Sequence, residues 1–347
     1  MAHRLPRLFL CAALAGGLVA STAQAQGELE TKELALGFGL DLPFAVHIVA
    51  IEKGWFEEEG FQEVTTKTFT AGALAGEALV AGEIHLWTPG NLPPVSMVHN
   101  AIPVVVLGVD SINLGLDKLV VRKDANVSAP EDLYDIKIGL LEGSTASLDL
   151  ANLIAHYDLD PSRIQTINLA PPEQLASLIS GDVQAILAWE PWPYRALQEA
   201  DAEVVHTGLV SHFDANDGEQ VQISHNRSIF VASQDFVRDN PNTVDALMRV
   251  LLRASRYVAD PANREEVLKL FSDFQSQDIE VNRALWDNYV FDPTIDENYV
   301  ADMEATAAFL EATGRIRDRM DVLEYTYTEP VQKVDPALVE IEGKWQP

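Results

Sequence analysis

Cysteine is almost absent from this 347-residue chain, which contains a single copy at position 11. That residue lies in an N-terminal apolar stretch that we expect to be removed, so the remaining protein would contain no cysteine. Its absence excludes disulfide bonds, thiolate metal sites and a cysteine nucleophile. Basic residues are also scarce, with 24 Lys and Arg against 53 Asp and Glu. The net charge of −29 argues against binding to nucleic acid or to anionic membranes.

Residues 1–25 have the pattern of a cleaved secretory signal peptide. Two arginines precede an apolar stretch at 8–20, and the segment ends in Ala-Gln-Ala, which suits a cleavage site. The stretch is shorter than the ~20 residues that a membrane span needs, and no later segment is long and apolar enough. We therefore predict an exported protein that begins at Gln26 and does not insert into a membrane. Loss of the two arginines changes the net charge from −29 to −31.

Several common enzyme motifs are missing. Gly143-Ser144-Thr145 lacks the second glycine of a serine-hydrolase elbow. The eight histidines form no His-Glu-x-x-His zinc helix, and Gly37-Phe38-Gly39 lacks the third glycine of a dinucleotide fingerprint. We therefore expect no catalysis, no metal and no cofactor. A secreted enzyme remains the alternative from a different functional class.

Strand-like and helix-like segments alternate along the chain, which predicts an α/β fold with mostly parallel sheets. The 322 residues from Gln26 onward exceed one typical core, so two lobes are expected. The predicted strands are 33–38, 64–69, 84–87, 104–109, 118–122, 137–140, 165–169, 183–188 and 229–232. The predicted helices are 45–59, 74–81, 92–99, 173–180, 265–271, 282–289 and 299–312, with two more that begin near Ser144 and Pro241.

One pattern occurs twice, about 100 residues apart. ALVAGEIHLWTPG contains Gly82 and Trp87, and LISGDVQAILAWEP contains Gly181 and Trp189. Each segment predicts a helix, a glycine after its last turn, a short apolar strand and then Trp-x-Pro. The spacing is too long for a solenoid repeat, so the two segments indicate equivalent points in two similar lobes.

Polar and aromatic residues follow several of the predicted strands. In open α/β sheets a ligand binds beyond the carboxyl ends of the strands, so we predict that these residues line one cleft between the lobes. The alternatives are that Trp87 and Trp189 are core residues, that Glu190 is a solvated loop carboxylate, and that Ser144 only caps a helix. The candidate ligand-binding residues are Asp41, Phe44, Thr70, Gly72, Trp87, Thr88, Asn91, Gly143, Ser144, Thr145, Trp189, Glu190 and Trp192.

Four segments together resemble a known family. GWFEEEGF at 54–61, ALVAGEIHLWTPG, IGLLEGSTA at 138–146 and GDVQAILAWEPW resemble type II periplasmic solute-binding proteins of ABC importers. The similar branch serves nitrate, taurine, aliphatic sulfonates and thiamine-precursor pyrimidines. The similarity covers most of the chain, including residues 236–258. It implies two lobes, each a mostly parallel sheet flanked by helices, with the ligand cleft between them.

The resemblance also implies a division of the chain and a set of partners. Two chain crossings, expected near 118–123 and 223–230, would separate a discontinuous first lobe from a continuous second one. A monomer in the periplasm would deliver a small molecule to a membrane permease with its cytoplasmic ATPase, and service to a receptor stays open. The first lobe would comprise 26–120 and 225–325, the second 121–224, and the C-terminal tail 326–347.

The nature of the ligand follows from two opposing features. A helix that starts at Ser144 would offer free N–H groups and a positive dipole end to an anion. The acidic chain repels anions at long range, and Asp41 and Glu190 beside indoles favour an ammonium group. A zwitterion satisfies both, with a sulfonate at 143–145 and an amine near Glu190 and Trp189. Taurine or a similar organosulfonate is therefore the predicted ligand, and an aminopyrimidine stacked on Trp is the alternative.

Overall fold

The computed structural model describes residues 27–69 and 72–347, so the predicted signal peptide and Thr70 lie outside the described residues. The strands are β1 (Glu33–Phe38), β2 (Glu63–Thr68), β3 (Leu86–Trp87), β4 (Val104–Asn113), β5 (Asp117–Arg122), β6 (Lys137–Leu140), β7 (Gln165–Asn168), β8 (Ala185–Trp189), β9 (Ala202–His206), β10 (Asn226–Ser233) and β11 (Tyr289–Val290). The α-helices are α1 (Ala45–Glu52), α2 (Trp55–Glu58), α3 (Gly72–Val80), α4 (Leu92–His99), α5 (Thr145–His156), α6 (Pro171–Ser180), α7 (Trp192–Glu199), α8 (Gln234–Asp239), α9 (Pro241–Ala259), α10 (Arg264–Gln275), α11 (Ile279–Leu285), α12 (Glu297–Ala312) and α13 (Glu329–Val334).

The strands form two sheets, with the orders β11-β4-β10-β3-β1-β2 and β7-β6-β8-β5-β9. β1 is parallel to β2 and β3, and β6 is parallel to β7 and β8. β10 runs antiparallel between β3 and β4, and β5 runs antiparallel between β8 and β9. The predicted α/β fold is confirmed, and most strands of each sheet run in one direction, with β10 and β11 opposed in the first sheet and β5 in the second. The chain leaves the first sheet along β4 and returns from the second sheet along β10, which runs antiparallel beside β4.

The chain passes between the sheets twice. β4 ends the first visit to one sheet at Asn113 and β5 begins in the other sheet at Asp117, so the first crossing is 114–116. The second crossing is 207–225, between β9 and β10. The predicted lobe boundary at residue 120 therefore falls inside β5. Apolar patterning identified this strand but did not show which sheet it joins.

Glycines end or interrupt several helices. Gly181 follows α6 with φ +86° and Gly82 follows α3 with φ +72°, as their predicted positions after the last helical turn require. Gly54 has φ +70° and separates α1 from α2. The single helix predicted over 45–59 is therefore wrong, because this left-handed residue breaks the helical hydrogen-bond ladder.

The largest apolar core lies on the first sheet and includes one face of α9. Smaller clusters of buried apolar residues pack on the second sheet. The C-terminal tail lies against the first core, where the rings of Tyr327 and Trp345 are 5.3 Å apart. Among the described helices, none combines the length and the apolar character that crossing a bilayer requires. The buried face of α9 includes the predicted residues Leu247, Val250, Leu251, Ala254 and Val258.

Candidate ligand-binding cleft

A cleft lies between the two sheets. The first sheet contributes the loops after β1 and β3 together with polar residues of β4 and β10. The second contributes the start of α5 and the turn from β8 into α7. The cavity measures about 100 Å³. This is room for several water molecules, and therefore for a small solute.

Nine of the thirteen candidate residues line this cleft. Of the others, Asn91 and Gly143 lie outside the lining, Thr70 lies outside the described residues, and Gly72 begins α3. The amide of Asn91 donates to Thr306 Oγ1 and to the His225 carbonyl, so this residue holds packed segments together. The nine lining residues are Asp41, Phe44, Trp87, Thr88, Ser144, Thr145, Trp189, Glu190 and Trp192.

The sequence reasoning missed three polar residues that also line the cleft: Asn113, Asn226 and Ser228. They lie on β4 and β10, whose pairing brings Asn113 opposite Asn226. A possible signal was the presence of amides and a hydroxyl in otherwise apolar strands. Their shared location depends on antiparallel pairing between strands more than 100 residues apart, which local patterning does not reveal.

The three tryptophans differ in exposure. Trp87 is only 1% exposed and belongs to the core of the first sheet, although it also lines the cleft. Trp189 is partly buried and packs against that same core from the opposite sheet. Trp192 is also partly buried, and the Arg195 guanidinium lies 5.1 Å from its ring centre. Trp189 and Trp192 are therefore the indoles with surface available to a ligand.

Glu190 is held by protein partners. Its side chain is almost fully buried, so the alternative reading as a solvated carboxylate is wrong. One oxygen forms an ion pair with Lys118 of the neighbouring strand β5. The other accepts the Tyr194 backbone N–H at 2.9 Å, at the start of α7. The peptide bond that follows, to Pro191, is cis. The charge of Glu190 is therefore already balanced by a cation of the protein itself, the Lys118 ammonium.

The start of α5 faces the cleft through Ser144 and Thr145. Ser144 occupies the N-cap position, but its hydroxyl donates to the Leu141 carbonyl at 2.7 Å and makes no cap bond to the helix. The predicted side-chain cap is therefore absent. The Thr145 hydroxyl accepts from the Asn226 amide at 3.3 Å. Gly143 has φ +80° and lies beside the Arg315 guanidinium.

Three further aspartates are buried around the cleft. Asp117, the first residue of β5, is a neighbour of Asp149 on α5, while Asp110 lies within β4. Burial raises the pKa of Asp117 to about 6. The charge of Glu190 acts in the same direction, whereas the polar groups of Asp149, Thr145 and Asn226 act to lower this pKa. Burial also raises the pKa of Asp149, with a further contribution from the charge of Asp117. The titrations of these two neighbouring carboxyl groups are therefore coupled, and burial shifts both towards the protonated form.

Asp41 is the remaining acidic residue in the lining. Burial raises its pKa to about 7; its own backbone N–H opposes this rise and the charge of Asp117 adds to it. Behind it, burial lowers the pKa of His47 to about 3, so this imidazole is neutral. The His47 Nε2 atom is 3.0 Å from the Thr88 hydroxyl. The lining of the cleft is thus acidic at Asp41, and the nearby His47, which lies outside the lining, is uncharged.

Basic side chains do not line this cleft: its described lining residues include no Lys, Arg or His. The described segments also contain no group of three or more His, Cys, Asp or Glu side chains that could hold a metal ion. Hydroxyl and amide groups provide the hydrogen bonds, and aromatic rings provide the apolar surface.

This arrangement has the two-lobed α/β fold of periplasmic solute-binding proteins. The structure of the alkanesulfonate-binding protein SsuA from Xanthomonas axonopodis pv. citri bound to MOPS is similar, with a TM-score of 0.72 and 18% identity over 86% of this chain and 98% of that chain. The desulfurization enzyme DSZB also shares the fold, with a TM-score of 0.66 and 17% identity over 87% and 98%. The fold alone therefore does not separate binding from catalysis.

The chain belongs to the NMT1-like family, whose model matches residues 27–272. It is also 27% identical over 216 residues to the taurine-binding periplasmic protein of Escherichia coli (strain K12). That match covers 61% of this chain and 63% of the relative, so less than two thirds of the relative's length is represented.

Proposed function

We propose that this chain is an exported solute-binding protein that delivers a small organic solute to an ABC importer. The observation that carries the proposal is the cleft, which takes one wall from each sheet and has a chain crossing beside it. A ligand that contacts both walls favours the closed arrangement over an open one, and the crossings would act as the hinge. The names of the taurine-binding and alkanesulfonate-binding proteins support the same class.

The ligand that we propose is taurine or a similar small organosulfonate. Its sulfonate would lie at the start of α5, where the N–H groups of the first turn have no intrahelical partner. Because the Ser144 hydroxyl is bonded to the Leu141 carbonyl, backbone N–H groups would bind the anion there. Trp189 and Trp192 would pack on the alkyl part of the solute.

A thiamine-precursor aminopyrimidine is the second candidate. Two observations favour it: the partly buried indoles of Trp189 and Trp192, and the absence of Lys, Arg and His from the described lining. An uncharged ring that stacks on an indole needs no cation to offset its desolvation. A secreted enzyme is the third candidate, because the fold is shared with an enzyme.

The proposal has three further parts. Residues 1–25 direct export to the periplasm, the protein is a monomer, and its partner is a permease with a cytoplasmic ATPase. Cell fractionation would place the processed chain in the periplasm. Retention of the full-length chain in the cytoplasm would contradict this part.

Titration calorimetry of the chain from Gln26 onward tests the ligand. The panel contains taurine, simple alkanesulfonates, nitrate and hydroxymethylpyrimidine, and we expect binding of taurine together with compaction in small-angle scattering. Tight pyrimidine binding without a sulfonate signal would overturn the sulfonate assignment. Chemical conversion of any ligand, detected by mass spectrometry, would favour the enzyme.

A further inference from the structure

We infer that the ligand carries an ammonium or similar cationic group and that Asp41 is the residue that binds it. This inference rests on the proposed function and specifies the ligand class of the same cleft. It also moves the amine-binding site, because the sequence alone pointed to Glu190.

Asp41 presents an uncommitted carboxylate to the cleft. It directly precedes the short 3-10 turn Leu42–Phe44, yet its side chain makes no cap bond to that turn. Gly39 leaves the space that this carboxylate occupies, since a Cβ at Gly39 would lie 2.8 Å from Asp41 Oδ1 and 2.9 Å from the Phe44 ring. Within the described residues, the only hydrogen bond to the carboxylate comes from its own backbone N–H. The side chain is therefore available to a ligand.

Glu190, by contrast, is already paired. Its two oxygens are taken by the Lys118 ammonium and the Tyr194 N–H, and its side chain is 2% exposed. A ligand amine at that carboxylate would compete with Lys118, a protein-bound cation on an adjacent strand. Asp41 has no such competitor among the described residues.

The rest of the wall favours a cation over a simple anion. Because the described lining contains no basic side chain, an anion without an amine would meet Asp41 with no neutralising partner other than a helix end. Phe44 and Phe69 line the same side of the cleft, and Trp189 lines the other. Aromatic faces attract ammonium groups electrostatically, whereas they offer no such attraction to the charged group of nitrate or of a sulfonate.

The inference predicts a dependence on pH with a definite sign. A cation binds the ionised form of the Asp41 carboxylate. Because the pKa of Asp41 is about 7, the ionised fraction decreases as the pH falls below 7. Affinity should therefore fall by up to about tenfold per pH unit below 7 and level off above it. Binding at pH 7 should release roughly half a proton. The titratable groups that face Asp41 are Asp110, Asp117, Glu190 and Tyr289, with neutral His47 behind it.

The test compares solutes that differ only in the amine. Taurine and ethanesulfonate form the pair, and each is titrated at pH 6, 7 and 8 in two buffers of different ionisation enthalpy. We expect the amine-bearing member to bind at least tenfold more tightly and to release protons. In Asp41→Asn both the preference and the proton release should disappear, while Asp318→Asn, which removes an exposed charge outside the cleft, should change neither.

Three results would overturn the inference. Equal affinity for both members of the pair, or unchanged proton release in Asp41→Asn, would refute the role of Asp41 while leaving the proposed function intact. Absence of binding by every member of the panel would overturn the proposed function together with the inference. If Asp41→Asn fails to fold, which circular dichroism would show, the wild-type pair comparison and proton release still decide.

Discussion

The ion pair between Lys118 and Glu190 offers the sharpest test of how the cleft is held together. The Lys118 side chain is 15% exposed and that of Glu190 is 2% exposed, so both charges are largely removed from water. Substituting Lys118→Met keeps the length of the side chain but leaves the carboxylate without its counter-ion. The remaining partner, the Tyr194 N–H, cannot neutralise a full charge.

The size of the effect follows from this burial. Removing one partner of a buried ion pair costs about 3–5 kcal/mol, and we expect about 3 kcal/mol here because Lys118 keeps some contact with water. Glu190→Gln should cost less, roughly 1–2 kcal/mol, since the lysine can reach solvent and the amide oxygen can still accept from Tyr194. The double variant should lie within about 1 kcal/mol of wild type, because it leaves no buried charge.

Urea unfolding of the four proteins measures the coupling directly. The double-mutant cycle should give a coupling free energy of about 3–6 kcal/mol between the two side chains, because the single costs add up to far more than the cost of the double variant. Strictly additive effects would show that the pair is not formed in solution. In that case Glu190 would be free, and the location of the amine at Asp41 would lose one of its supports.

Two further predictions concern the indoles and the buried acids. Trp189→Ala should weaken ligand binding by about 1–3 kcal/mol with the fold intact, whereas Trp87→Ala should lower the free energy of unfolding by about 3–5 kcal/mol. Calorimetry measures the first effect and urea unfolding the second. If both variants unfold, Trp189 is a core residue as well. A carboxyl group whose pKa is raised by folding binds more protons in the folded state, so it lowers stability as the pH rises from its unfolded pKa to its folded pKa. Asp149→Asn should therefore reduce the loss of stability as the pH rises above the unfolded pKa of about 4, by up to about 1.4 kcal/mol per pH unit, and an unchanged slope would contradict the raised pKa of Asp149.

Local patterning predicted much of the fold. The strands at Glu33–Phe38 and Lys137–Leu140 and the helix at Leu92–His99 begin and end where apolar runs, prolines and glycines predict. These signals lie within a few residues of the elements that they define. Pairing between β4 and β10 joins segments more than 100 residues apart, so local patterning does not reveal their antiparallel direction.

The candidate site was predicted less completely, for a related reason. Trp87 and Trp189 occupy the same place in a repeated pattern, yet one is buried and the other partly exposed. Trp87 lies on a strand between β1 and β10, with neighbours on both sides, whereas Trp189 ends β8 opposite Asp117. The repeat describes the local element, while exposure depends on its neighbours in space. Similarly, the partner of Glu190 lies 72 positions earlier in the chain.

The position of β10 has a consequence for the order in which the chain folds. Strands β5 to β9 are continuous in sequence, so the second sheet can assemble from 117–206 alone. The first sheet cannot, because β10 lies between β3 and β4 and no other strand joins them. Until β10 has paired with β3 and β4, the strands β1 to β3 form one part of the sheet and β4 forms another, with a gap of one strand between them. Pairing between strands that are far apart in sequence is slow. We therefore expect the inserted second sheet to form early and the first sheet to be completed last, when β10 pairs with both β3 and β4.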